Sequence, residues 1–536
     1  MFVKLAQAKV LVVDDFQGMR TVLRDLVRTM GVQHVDTAAN GKDALQKLGA
    51  SRYDVVVCDF NLGQGLNGQQ VLDEARLHDY IGLSTIWIMV TAEKTAEMVT
   101  GVAEARPDEY LLKPINQGML QGRLERLLAK KQVLHGVQEA MRAKDYVAAL
   151  QHCEALLAGA GPKPADLLRI KSELLLTLGH YPAAQALFDS VLAEREVPWA
   201  RTGLGRLHFY QGQYELARGM FGQVLKDNPM FIEASDWQAR TLQALGEPHE
   251  AQQVLMEAAR RSPNVVRRQV ELGEIAYRNG ALEVARAAFE KTVKISEFST
   301  DRQPDAYVSL ARVLSDSQQD DAALKWLQHT LKVFKDNTDV AIQVAAVQSV
   351  VHQQAGQPEA AGQALEQALA LQGRRQGHAS PRTTLELAQG LLAMGRSSEA
   401  VDLLRKLVKN HHEDSQLGQQ VQQLFERAGM GEQGQVLMRE AREELININN
   451  QGVMLGRRGQ FAEGARLLRV ALEDLPGNEV MLLNLCGLLL AQMRTEGRSE
   501  ALLAETLDLL RRVHELNPDS AKYSVYMNAL KAARAA

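Results

Sequence analysis

Two hydrophobic periods divide the chain near residue 130. Before it, short apolar runs rich in Val and Ile, at 9–13, 53–58 and 86–90, alternate with stretches of helical spacing. Such runs suit strands buried on both faces of a parallel sheet. Segments 34–38 and 109–112 bring the strand candidates to five, and 18–30, 41–48, 69–78, 95–105 and 116–128 carry the apolar stripe of amphipathic helices. Five strand–helix units in a row predict an α/β doubly wound parallel five-stranded sheet over residues 1–130. In such sheets a site forms at the carboxyl ends of the strands, here just after Val13, Cys58, Val90 and Leu112.

After residue 130 the strand pattern stops and a repeat begins. An aromatic residue is followed by a small residue and then a bulkier one, as in Tyr146/Ala149/Cys153, Tyr181/Ala184/Phe188, Tyr214/Ala217/Phe221 and Phe461/Gly464/Leu468. Ala217, Ala251 and Ala285 stand 34 residues apart, and Pro229 and Pro263 keep that step. Gly205, Gly273 and Gly452 lie 12 residues ahead of such small positions. A period of this length with these residues resembles the tetratricopeptide repeat. One such hairpin cannot bury its apolar face alone, so stacking is obligatory, and residues 131–536 are expected to form an all-α solenoid of roughly ten helical pairs closed by a helix at 519–535. Further on, Ala285, Ala323, Ala361 and Ala400 are 38 or 39 residues apart, which predicts longer turns, and 416–444 falls out of register.

Composition narrows the classes. Apolar residues at 46% and charged residues at 24% describe an ordinary globular protein. A net charge of −4 disfavours a general preference for nucleic acid or anionic membrane. Three scattered cysteines, Cys58, Cys153 and Cys486, exclude a disulfide framework and a zinc knuckle and point to a reducing compartment. The richest apolar stretch, 481–490, is interrupted by Asn484 and Gly487, and none reaches the ~18 residues of a membrane span. The first apolar run ends in Asp14–Asp15 with no basic flank or cleavage site, so it reads as a strand. A cytoplasmic protein without membrane insertion is expected.

The predicted strand ends bring Asp14, Asp15 and Asp59 together. Two like charges ~4 Å apart repel by about 4 kcal/mol at a surface-like dielectric. Such carboxylates either rise in pKa or share a cation, and hard oxygen ligands suit Mg²⁺. Capping of the following helix by Asp14 or Asp15 is the alternative, but it leaves Asp59, Thr91 and Lys113 at the other strand ends unexplained.

Val12–Val13–Asp14–Asp15–Phe16, the Asp59–x–Asn61 pair, Val90–Thr91–Ala92 and Tyr110–Leu111–Leu112–Lys113–Pro114 together resemble the flavodoxin-like receiver domain of two-component response regulators, in its compact chemotaxis form. The resemblance implies that Asp59 is the phosphoacceptor, taking its phosphoryl group from a histidine kinase or phosphotransfer protein. It implies that Asp15 binds Mg²⁺ directly and Asp14 through water, with the Asn61 backbone carbonyl completing the metal site. Lys113 would pair with phosphoryl oxygens beside a cis Lys113–Pro114 bond, and Thr91 and Tyr110 would be the switch pair. The residue types fit, since phosphoryl transfer needs an in-line oxygen nucleophile and charge neutralisation more than acid–base work. Haloacid-dehalogenase-like phosphatases need a second acid two residues past the nucleophile, where this chain has Asn61 after Asp59 and Phe16 after Asp14. Three departures stand out: Gly63 in place of the family's proline, Asn67 in place of its Asp, and Glu104–Ala105–Arg106–Pro107 in place of its Gly-Ala turn.

No basic recognition helix, nucleotide-binding loop or second catalytic constellation follows. The expected protein is therefore a phosphorelay response regulator that is no enzyme beyond phosphoryl acceptance and self-hydrolysis. It binds no DNA, and its array signals by binding other proteins. The alternative is a phosphorylation-independent scaffold that uses the receiver for docking. Phosphorylation would either free the array or pair receivers into a homodimer. Arg206, Arg240, Glu274 and Arg312 recur at one point of the repeat, with Tyr210 and Tyr277 a turn later. They predict a partly basic, aromatic groove for an acidic segment, or else ion pairs between repeats.

Overall fold

The computed structural model describes residues 5–82, 84–92, 107–159, 164–297, 299, 302–374, 379–411, 414–497, 499–517 and 520–535. The helix expected at 95–105 and the departure at 104–106 lie outside these. Contacts divide the chain into two compact units, Met1–Gln303 and Pro304–Ala536.

The first unit opens with five parallel strands: β1 (Lys9–Val13), β2 (His34–Ala38), β3 (Val55–Asp59), β4 (Ile86–Thr91) and β5 (Glu109–Leu112), in the order β2-β1-β3-β4-β5. Strand periodicity sends alternate side chains to opposite faces. Leu11, Val13, Val56, Cys58, Trp87 and Met89 pack on one side with α2 (Gly41–Ala50) and α3 (Gly68–Leu77). Val10, Val12, Val55, Val57, Ile88 and Val90 pack on the other with α1 (Gln17–Thr29) and α4 (Gln117–Val133). Both faces being covered, β1, β3 and β4 are the continuous Val/Ile runs seen in the sequence, whereas β2 at the edge alternates. The register sets Val13 opposite Cys58, Asp59 opposite Val90 and Thr91 opposite Leu112, so the carboxyl ends of four strands are level.

Helical hairpins follow from His135. The signature alanines Ala149, Ala184, Ala217, Ala251 and Ala285 are fully buried. Gly205 and Gly273 earn their place by close approach: a Cβ there would stand 2.6 Å from Phe221 Cε1 and Phe289 Cε1. Gly212, Gly246 and Gly280, again 34 apart, turn each hairpin with φ of +74°, +80° and +74°, backbone that glycine adopts most readily.

The step from Ala285 to Ala323 widens between Ser296 and Pro304, the longer connection expected, and in the second unit longer helices also contribute to the spacing. Thr338–Gln354 and Pro358–Arg374 have 17 residues each, against 13 in Val266–Arg278. The out-of-register stretch leads into one 27-residue helix, Gly431–Arg457, which continues from one repeat into the next without a break. The helix Ala521–Ala535 closes the unit, with Tyr523, Tyr526 and Met527 packed on a Leu-rich cluster that includes Leu482, Leu489 and Leu510. Among the described residues no helix is long and apolar enough to cross a membrane.

Candidate functional site

Asp14 follows β1, Asp59 ends β3, Thr91 ends β4 and Lys113 follows β5, so the sheet itself gathers them at one edge. Lys113 Nζ donates to Asp59 Oδ2 at 2.7 Å and to Asp14 Oδ2 at 2.9 Å. Asp14 and Asp59 are buried, and Asp15 is exposed. Each of the three offers a carboxylate oxygen within 4.8 Å of the others. Lys113 answers two of these charges, and the exposed third leaves an opening on the solvent side. Three hard oxygens at this spacing fit a divalent cation that keeps part of its water shell.

The electrostatics follow from burial. Desolvation raises the Asp59 carboxyl above its ordinary range and Asp14 adds to this, while Lys113 and a backbone hydrogen bond from Asn61 oppose it. Burial works against the Lys113 ammonium, yet its bonds to Asp59 and Asp14 hold its pKa above the ordinary value.

Local structure fixes these groups. Arg20, a turn into α1, donates to the carbonyls of Asp14 (2.7 Å) and Asp15 (2.9 Å). Asp14 Oδ1 accepts from the Phe16 N–H, so Asp14 both steadies the entry to α1 and serves the site. The Asn61 side chain accepts from the Gly63 N–H. Gly63 does more than loosen the loop: its φ of +74° and a would-be Cβ 3.1 Å from Asp15 Oδ2 leave a side chain little place there. Asn67, the other departure, is the N-cap of α3 and forms a capping box with Gln70. The Lys113–Pro114 bond is cis. Thr91 is buried at the end of β4, and Tyr110, half-buried on β5, packs against the cluster holding Cys58 and Met89.

The sequence misses Arg20 and the Asn67–Gln70 box. An Asn three residues before Gln at a helix start was the available signal for the box, and a basic residue one turn after the paired acids was the signal for Arg20.

The array arginines do not meet as a free basic stripe. Arg206 makes two bonds to Glu173 (2.6 and 2.9 Å) and lies 3.8 Å from Glu233, and Arg240 pairs with Glu271 at 2.7 Å. Both guanidinium groups also lie over Trp237, 5.2 and 4.9 Å from its ring centroid. Arg312, in the second unit, pairs with buried Glu386 at 2.5 Å. Arg206 and Arg240 are matched by carboxylates of the adjacent repeat and Arg312 by one 74 residues on, which is the ion-pair arrangement between repeats. Tyr210 is exposed beside Trp237 (5.7 Å between centroids), whereas Tyr277 is buried.

The family model of the response regulator receiver domain matches residues 10–125, and tetratricopeptide-repeat models match 238–300 and 381–406. Chemotaxis protein CheY-3 of Vibrio cholerae serotype O1 is 30% identical over 122 residues, which are 23% of this chain and 92% of that protein. Chemotaxis protein CheY of Pseudomonas aeruginosa is also 30% identical over 122 residues, 23% of this chain and 97% of that protein. A crystal structure of MamA is similar at 18% identity over 32% of this chain and 95% of that one, with a TM-score of 0.28.

Proposed function

The chain belongs to the response-regulator family, with a receiver domain at its N-terminus and tetratricopeptide repeats behind it, and from that premise we propose that it accepts a phosphoryl group on Asp59 and passes the signal on by protein binding through the array. The receiver occupies 1–130 and the array 131–536. The observation that carries this reading is the meeting of Lys113 with Asp59 and Asp14 beside Asp15 at one sheet edge.

The donor is a phosphohistidine of a kinase or phosphotransfer protein. One Asp59 carboxylate oxygen forms the new bond to phosphorus as the phosphorus–nitrogen bond breaks, its electron pair leaving with the imidazole. The nucleophile is the carboxylate form of Asp59, which burial disfavours and the Lys113 ammonium favours. Lys113 then bonds the transferred oxygens, and the Thr91 hydroxyl turns to bond another. Asp14, Asp15, Asp59 and the Asn61 carbonyl would hold Mg²⁺, which would supply the remaining charge neutralisation. Tyr110 fills the space that Thr91 leaves. Hydrogen bonds to a charged group contribute about 1.5–3 kcal/mol each. Two of them therefore approach the ~5.5 kcal/mol that reverses a 1:99 population.

The protein acts in the cytoplasm and has no DNA target. Incubation with acetyl phosphate and Mg²⁺, read by intact mass, should add one phosphoryl group to the wild type and none to Asp59→Asn. Equal masses with and without acetyl phosphate would leave the receiver as a docking module only.

A further inference from the structure

The helix Ser415–Arg427, in the out-of-register part of the array, is covered along a single stripe. Among its described residues the buried ones are Leu417, Val421 and Phe425, each one turn from the next. The first helix of the preceding hairpin, Pro381–Ala393, instead buries Leu385, Glu386, Leu387 and Ala388 in succession. Four successive helical residues point all round the axis, so that helix is enclosed and Ser415–Arg427 is not. An open cleft of about 670 Å³ lies where Ser415–Arg427 meets the end of Ser397–Asn410 and the start of Gly431–Arg457.

The lining combines an apolar base with one sign of charge. Val408 and Leu417 are buried there and Met438 is half-buried. Asp414 and Glu426 line the cleft, and among the described residues no lysine or arginine does. Both acids are exposed, and each accepts from a neutral donor: Asp414 from the Leu417 N–H at 2.9 Å, Glu426 from Gln422 Nε2 at 2.9 Å. Burial pushes the pKa of the half-buried His411 ring below its ordinary value against the pull of Asp414, so near pH 7 it does not answer these charges. Acids close by on the long helix are matched, Glu440 by Arg405 at 3.4 Å and Glu444 by Lys409 at 2.7 Å. Gln422 also lines the cleft, and its Oε1 is buried with no hydrogen-bond partner. The site is rich in acceptors and short of donors.

We propose that this cleft is a docking site for a Lys- or Arg-bearing segment of a partner protein. It rests on the protein-binding reading of the array above and names the chemistry that array takes. Lys and Arg carry a charged end on a long apolar stem, so the stems lie along Val408, Leu417 and Met438 while the heads reach Asp414 and Glu426. The amides of Gln419 and Gln423, also in the lining, each offer donors and an acceptor, which suits the main chain of a bound segment whatever its sequence. An acidic segment would set like charges against Asp414 and Glu426 and is excluded. The polarity is the reverse of the basic groove expected around Arg206, whose charge Glu173 already meets.

A fluorescent peptide of alternating Lys and Ala with one benzophenone group, and its Glu counterpart, test this on the full chain. The Lys peptide should bind, read by anisotropy, and cross-link within 408–438; the Glu peptide should do neither. Asp414→Asn with Glu426→Gln keeps an oxygen for the Leu417 N–H and for Gln422, so the helix start stays capped. Exposed charge pairs contribute little singly, and losing both should weaken the Lys peptide by about tenfold. Unchanged affinity in that variant would overturn the docking site. An equal loss in Asp321→Asn with Glu359→Gln, exposed acids of other helices, would mean attraction to the acidic surface at large and overturn it too. Cross-links elsewhere in 131–536 would remove the cleft and leave the array as a protein-binding surface. Cross-links confined to 1–130 would count against both.

Discussion

The ammonium of Lys113 and the carboxylate of Asp59 meet at 2.7 Å across the end of β4, the strand that separates their own. If Asp59 is the phosphoacceptor as proposed, this bond aims the cation in advance at the place where charge would develop, and preorganised charge of this kind is effective in catalysis. Lys113→Met should therefore slow phosphoryl acceptance from acetyl phosphate by about a hundredfold. The rate is read by intact mass over time. A variant as fast as the wild type would take Lys113 out of the chemistry.

The acidic cluster predicts a stability effect that needs no phosphoryl donor. Lys113 bonds Asp14 and Asp59, and a divalent cation among the three carboxylates would relieve what remains of the repulsion. A ligand that binds only the folded state stabilises it by about 2.7 kcal/mol at a hundred times its dissociation constant. The receiver's melting midpoint should rise with Mg²⁺ over EDTA in the wild type and rise less in Asp15→Asn. A midpoint indifferent to Mg²⁺ would remove the metal from this site.

Legibility in the sequence followed the range of the interactions. β1, β3 and β4 were plain because burial on both faces leaves an unbroken Val/Ile run, and Asp14, Asp59 and Thr91 stood out because each closes or follows such a run, whereas Lys113 follows the less regular Glu109–Leu112. The repeat was legible through Ala217, Ala251 and Ala285, since only small side chains fit where two helices touch. Gly431–Arg457 was not, because nothing in its sequence interrupts the helix where one repeat passes into the next. The Arg206–Glu173 and Arg240–Glu271 pairs, 33 and 31 residues apart, were visible only as an alternative. Charge alone does not say whether an arginine faces a ligand or the next hairpin. The bond from Gln70 Nε2 to the Ile295 carbonyl had no local signal at all, because it depends on how two distant segments come together.

Close helix packing gives a prediction in the array. Gly273 faces Phe289 with no room for a Cβ, whereas Gly280 has open space and a φ of +74°. Gly273→Ala should destabilise the first unit by about 1–3 kcal/mol through overpacking. Gly280→Asn should be nearly neutral, since Asn tolerates left-handed backbone. Urea denaturation of the two variants, followed by circular dichroism, separates the causes; equal losses would mean that packing against Phe289 does not set the requirement at Gly273.

Arg268 is 1% exposed, and Asp236 grips it twice, Nε to Oδ1 and Nη2 to Oδ2, both at 2.8 Å. Its Nη1 also donates to the Ser262 carbonyl at 3.2 Å. A guanidinium cannot shed its proton to escape burial, so removing the carboxylate alone leaves the buried charge without its bidentate partner. Breaking a buried pair in this way costs about 3–5 kcal/mol, whereas replacing both partners with apolar residues of similar volume is often neutral or better. Asp236→Ala should therefore lower the stability of the first unit far more than the double change Asp236→Leu with Arg268→Met. The desolvation penalty, and not the attraction between the partners, decides that order. Urea midpoints of the two variants check it, and a double variant as unstable as Asp236→Ala would show that the pair contributes net stability of its own.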